Sequence, residues 1–168
     1  MRVEWENGWN RETFDEPLYF ESFIKDMRFN SLPWMVVSSA DIIYFGLATG
    51  DRNALHTDES FAKTTILGGV VAHGELVVNS LFGTLHAVNF WNKSLEALLE
   101  KSVRFSLPVR PEEKVKHFLH VVETRESKKY PDKGMVRFRF YTINQKYEQV
   151  AEGEFAVLLR KKGKKQEA

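Results

Sequence analysis

The sequence predicts an α+β domain in which an antiparallel sheet packs on one main helix. Three observations lead there. From His73 to Phe90, Val77, Leu81, Leu85 and Val88 fall on one stripe with Val78, Phe82 and Asn89 beside it, the spacing of a helix with a broad apolar face. Later the period drops to two: Val136, Phe138, Phe140 and Thr142 alternate with Arg137, Arg139 and Tyr141, and Gly153, Phe155, Val157 and Leu159 alternate with Glu152, Glu154 and Arg160. Helices come first and strands afterwards in a chain of 168 residues, the length of one domain, which favours a meander of antiparallel strands over alternating strand–helix units.

Taken in order, residues 1–32 mix aromatic and charged side chains (Trp5, Trp9, Phe14, Tyr19, Phe20, Phe23, Phe29) without a sustained period, and read as an arm packed on the domain. Residues 33–160 form the domain itself. PWMVV at 33–37 is a strand; Ser38 or Ser39 then caps a short helix through Asp41, Ile42, Ile43, Phe45 and Leu47, ended by Gly50. Asp58 caps a second short helix, ESFAK, and LGG at 67–69 breaks the chain. The core helix follows. Residues 101–107 and 114–123 read as strands separated by the turn signal PVRPEEK, and the two alternating segments complete a run of four. The tail at 161–168, basic and short, is expected to be disordered.

Composition removes several classes of function. Twenty-four basic residues against 23 acidic ones leave a net charge of +1, so there is no electrostatic footprint for nucleic acid. The absence of cysteine excludes disulfides, iron–sulfur clusters, thiolate zinc sites and a cysteine nucleophile. The first residues are charged from position 2 and lack the apolar core of a signal peptide, and no run approaches the roughly 18 apolar residues of a membrane span. The expectation is a soluble cytoplasmic protein with neither nucleic acid nor membrane as partner. Phosphate-cradling and dinucleotide-binding glycine motifs and G-x-S-x-G are also missing. His117 and His120 have metal-like spacing only on a helix; on a strand they face opposite sides, so no metal site is expected.

One segment carries chemistry without regular structure. TGDRNALHTD at 49–58 places Asp51 and His56 five positions apart. That spacing separates them by roughly 140° on a helix and puts them on opposite faces of a strand, so a joint action requires a bent backbone. Gly50 and Asn53, both tolerant of positive φ, supply the means to bend. On these residues alone, an Asx turn with a satisfied histidine is the competing reading.

FGLATGDRNALHTDESFA followed by LGGVVAHGELVVNSLF resembles the signature of MaoC-like, (R)-specific enoyl-CoA hydratases of the hot-dog superfamily. Phe45, Thr49, Gly50, Asp51, Asn53, Leu55, His56 and Ala62 fill the places of that pattern, which runs on into Gly68, Gly69, Ala72, His73 and Gly74. RFSLPV at 104–109 is similar to the strand end that follows the family's central helix, and YFESF and SSADIIYF are similar to its lead-in, so the likeness extends from about residue 19 to 159. Two positions depart from the pattern. Ala54 replaces a proline, which loosens the unfolded chain by roughly 0.4–1 kcal/mol. Phe82 stands where such hydratases often have a serine that helps hold the attacking water.

The resemblance implies a curved sheet wrapped around the central helix, a homodimer with ligand tunnels at its interface, and hydration of a trans-2-enoyl-CoA or dehydration of an (R)-3-hydroxyacyl-CoA without metal or redox cofactor. It implies that Asp51 and His56 form the acid–base dyad and that the Gly74 amide, opening the helix, binds the thioester oxygen as negative charge develops there, a place where helix dipole and free amides favour an anion. Asn53 and Gly50 organise the loop. Gly69 is a turn residue first and a ligand contact second, and His73 is a substrate or loop contact whose plain alternative is a helix cap. Two further readings stay open: a hot-dog acyl-CoA thioesterase, and a non-catalytic acyl-CoA-binding or assembly subunit, which Phe82 and the aromatic arm encourage.

Overall fold

The computed structural model describes residues 2–6 and 9–163, with side chains from residue 14 onward. Most of the basic tail, residues 164–168, lies outside the described residues. Two strands, β1 (Arg2–Glu6) and β2 (Trp9–Thr13), pair antiparallel with each other. A single turn of 3-10 helix at Phe20–Ser22 and the short β3 (Arg28–Phe29) and β4 (Met35–Val37) lead into helix α1 (Ser39–Thr49). A 3-10 turn at Ala54–His56, α2 (Glu59–Ala62) and α3 (Gly74–Ala87) follow, and then four long strands: β5 (Leu95–Phe105), β6 (Glu113–Glu126), β7 (Lys133–Asn144) and β8 (Gln149–Arg160).

The main sheet has six strands: the four expected in the second half of the chain, β4 within the strand expected at 33–37, and β3, which the sequence does not indicate. Its order is β3-β6-β7-β8-β5, with β4 also paired to β6, and every recorded pairing in it is antiparallel. β3 is two residues long, too short for an alternating pattern to register. Register shifts interrupt the β5–β8, β6–β7 and β7–β8 ladders, and such bulges bend and twist a sheet locally.

One face of this sheet receives α3. Val78, Leu81 and Leu85 of the helix are buried with Leu119, Val121, Val136, Phe138, Phe140, Phe155, Val157 and Leu159 of the strands, so the 3.6-residue stripe meets the two-residue alternation in one core. Phe14, Phe23, Phe29 and Leu32, from the N-terminal segment, are buried in the same cluster. Phe23 packs edge-on to Phe138 at 5.4 Å between ring centroids, and Asn89 Nδ2 donates to the Phe14 carbonyl at 2.9 Å. Phe82 turns into this core, 5.2 Å from the Phe155 ring and 6.4 Å from that of Trp91.

His117 and His120 do face opposite sides of β6. His117 is fully buried, with Nε2 2.9 Å from Ser80 Oγ and Nδ1 2.9 Å from Thr142 Oγ1, whereas His120 meets Asp26 at 3.3 Å near solvent. Ser80 Oγ donates its own hydrogen to the Val77 carbonyl. Nε2 must therefore donate to Ser80 and Nδ1 accept from Thr142, a neutral and fully satisfied imidazole. Burial pushes its pKa down to about 3.

Candidate active site

The bend between Asp51 and His56 is built in four steps, each with a local cause. Ser38 caps α1 by accepting from the Asp41 N–H, and Asp41 returns the contact, so the helix starts where the serine predicts. Gly50 ends it at φ +80°, the left-handed conformation that glycine adopts at least cost. Asp51 Oδ1 accepts from the Asn53 N–H at 3.2 Å, and Asn53 Oδ1 accepts from the Leu55 N–H at 2.9 Å. Two successive side-chain turns thus reverse the chain and begin the 3-10 turn that carries His56.

His56 is fixed by a backbone group. Its Nδ1 lies 2.8 Å from the Val71 carbonyl oxygen, which can only accept, so Nδ1 carries the proton and Nε2 presents a lone pair. The His73 ring stacks on it with centroids 3.7 Å apart and planes 28° apart. His73 occupies the N-cap position of α3, but its side chain makes no capping bond. It is buried, and its Nε2 reaches back to the Asp51 carbonyl oxygen at 3.2 Å, with the Asp51 carboxylate 3.8 Å away. Its other nitrogen, Nδ1, is buried without a hydrogen-bond partner. The cap reading of His73 is therefore replaced by a tie between the helix start and the Asp51 loop.

One nitrogen from each histidine and one Asp51 oxygen lie within 4.8 Å of one another. The trio is poorly shaped for a metal: His56 Nδ1 is committed to Val71, and nearly parallel stacked rings aim their in-plane lone pairs past each other rather than at one point.

The loop behind His56 is held from outside. Arg110 donates to the Leu67 and Val70 carbonyls at 2.5 and 3.4 Å, and the Val70 N–H donates to Glu59 at 3.1 Å. That backbone N–H, followed by Lys63, holds the Glu59 carboxyl below its usual pKa. A Cβ on Gly69 would stand 2.8 Å from Arg110 Nη1, so a side chain there would push the guanidinium from its place in the clamp. The Ala72 N–H donates to the Val109 carbonyl at 2.7 Å, which brings the start of α3 to the segment after β5.

His56 and Gly74 line one cavity of about 450 Å³, walled by Leu55, Val71, Val77, Phe105 and Val150 among others. Asp51, its side chain half exposed, is not among the residues that line this cavity; it meets the site through His73. The first amides of α3 have no intrahelical acceptor, so the cavity offers an imidazole base beside unpaired N–H groups. Phe82, packed in the core, is not among the lining residues.

Three contributors escaped the sequence reading. Gly46, buried within α1, has no room for a side chain: a Cβ there would lie 2.8 Å from the Asp51 carbonyl oxygen and 3.5 Å from the His73 ring. A glycine inside a helical pattern was its signal. Phe105 lies in the RFSLPV segment noted for its resemblance, but neither its contact with Gly74 nor that of Arg110 with the 67–70 loop has a sequence signal, because each joins segments far apart in the chain.

Residues 23–137 match the family model described as MaoC like domain. Over 57 residues the chain is 39% identical to the 3-hydroxybutyryl-CoA dehydratase of Methylorubrum extorquens; that alignment covers 34% of this chain and spans about a third, 35%, of the relative's length. Among solved structures, a monoamine oxidase regulatory protein from Archaeoglobus fulgidus is 30% identical with a TM-score of 0.79, covering 90% of this chain and 99% of that one. An (R)-hydratase from A. caviae involved in PHA biosynthesis is 26% identical with a TM-score of 0.67, covering 82% and 97%.

Proposed function

The chain belongs to the MaoC-like domain family and has the hot-dog fold, and from that premise we propose that it adds water to a trans-2-enoyl-CoA or removes it from an (R)-3-hydroxyacyl-CoA. One observation carries the reading: the bond from His56 Nδ1 to the Val71 carbonyl leaves Nε2 as a proton acceptor inside the cavity that also holds the start of α3. The dehydratase and (R)-hydratase among the similar proteins support the same reaction class.

In the hydration direction, Nε2 of His56 takes a proton from water as the oxygen attacks C3. Electrons of the C2–C3 double bond shift toward the thioester oxygen, whose developing charge is met by the Gly74 N–H at the positive end of α3. The proton removed from water is returned to C2, and the enolate collapses to the thioester. Asp51 aligns the water and, through its backbone oxygen, the His73–His56 stack. In this reading each role falls to a residue of the chain, and the proposed reaction calls on no cofactor.

The assembly we propose is a homodimer. β5 ends the strand path with Leu95, Leu98 and Leu99 each 40% or more exposed, an edge suited to cover by a second copy.

A panel of enoyl-CoA esters, followed by absorbance of the conjugated enoyl group and by free-thiol detection, separates the readings. Loss of enoyl absorbance without thiol release is expected. Thiol release instead points to a thioesterase, and binding with neither signal to a non-catalytic subunit. His56→Ala and Asp51→Asn should each lower turnover about 100-fold or more with the fold intact. Retained turnover in both variants removes the dyad from the mechanism.

A further inference from the structure

The ring of Phe105 covers the part of the cavity that a thioester would need. A Cβ built on Gly74 would lie 2.7, 2.8 and 3.2 Å from three carbons of that ring, so the phenyl edge rests directly on the open face of the first residue of α3. The strand beneath it is held in place. Phe105 pairs with Ala151 at the end of β5, and the next two N–H groups, of Ser106 and Leu107, both donate to the Val150 carbonyl at 2.9 and 3.4 Å. Lys101, four residues earlier on β5, bonds Glu75 and also Asn79 at 3.0 Å, fastening β5 to the first turns of α3. With both elements held, the half-exposed ring can be displaced only by rotating about its own side-chain bonds, which gives up its contact with the Gly74 face.

We propose that Phe105 is a specificity-determining residue that admits acyl thioesters unbranched at the α-carbon and rejects those with an α-substituent. The proposal rests on the Gly74 amide being the donor to the thioester oxygen. A carbonyl oxygen on that amide places the α-carbon one bond beyond the carbonyl carbon, against the space the ring fills. A flat conjugated chain passes beside the ring edge. A methyl group on the α-carbon adds a carbon where the phenyl already stands, and neither β5 nor α3 can retreat to make room.

The test compares wild type, Phe105→Ala and Phe105→Tyr. Binding of butyryl-CoA and 2-methylbutyryl-CoA is measured by calorimetry, and turnover with crotonyl-CoA and its 2-methyl analogue by enoyl absorbance. Wild type should favour the unbranched ester by roughly 10- to 200-fold, the range one misplaced carbon commands in a closed pocket. Phe105→Ala should bring the ratio to within about threefold by improving the branched ester, and Phe105→Tyr, which keeps the ring, should hold the wild-type ratio. An unchanged ratio in Phe105→Ala, or absence of acyl-CoA binding by wild type, overturns the proposal. A shifted binding ratio with no absorbance change in wild type instead leaves the wall in place and refutes hydration.

Discussion

Replacing Gly46 by alanine sets two energies of known sign against each other. Alanine is favoured over glycine within a helix by about 1 kcal/mol, so an open site on α1 would be stabilised. Here the new methyl would stand 2.8 Å from the Asp51 carbonyl oxygen, which is backbone and cannot rotate away. Ordinary carbon–oxygen approaches begin near about 3.3 Å, so that oxygen must retreat by roughly 0.5 Å. Overpacking of this kind costs about 1–3 kcal/mol, which leaves a net destabilisation of roughly 0–2 kcal/mol. The effect on activity is larger, because the displaced oxygen is the one His73 Nε2 holds, and His73 stacks on His56. A shift of that size in a positioned catalytic group lowers turnover about 10- to 100-fold. Urea denaturation reads the first quantity and crotonyl-CoA hydration the second. A Gly46→Ala protein that is more stable by the full helix increment and turns over at the wild-type rate refutes the account of this contact.

Two further outcomes follow from contacts described above. Gly74→Ala should cost about 1–3 kcal/mol of stability by crowding the Phe105 ring, and should lower kcat/KM about 100-fold by screening the first helical amide from the thioester; unchanged kinetics would remove Gly74 from the oxyanion role. His117, with its pKa near 3 in the folded protein and about 6.5 when unfolded, binds its proton more readily in the unfolded chain. Its contribution to stability is therefore complete above pH 6.5 and declines as pH falls toward 3, by up to about 1.4 kcal/mol per pH unit. His117→Gln should lose that slope, so its denaturation midpoint approaches that of wild type on acidification, and parallel curves across this window contradict the assignment.

Where local chemistry decides conformation, the sequence is easy to read. Ser38 and Asp58 cap helices and Gly50 ends one, as their side chains require. The stripe of Val77, Leu81 and Leu85 becomes the buried face of α3. β5 begins at Leu95, six residues before its expected start, because its first half is a sheet edge whose Leu98 and Leu99 are exposed and do not alternate. β4 lies within the strand expected at 33–37, whereas the two-residue β3 is specified by its partner β6 and by little in itself. At the candidate site, Asp51, His56 and Gly74 were visible through their motif. The clamp of Arg110 on the 67–70 loop and the Phe105 ring on Gly74 were not, since each joins segments about 30 or more residues apart and no periodicity encodes such a meeting.

The peptide oxygen of Val71 behind His56 has a consequence for reversibility. A carboxylate in that place could share or accept the imidazole's hydrogen, but an amide oxygen is too weak a base to do so at ordinary pH. Whatever hydrogen ion Nε2 collects must leave from the same side of the ring, back to the ligand or to bulk water. Nothing is relayed into the interior through Val71, so in the proposed reaction the imidazole would be reset within each cycle in either direction, and the direction of net flux would follow the ratio of product to reactant relative to equilibrium.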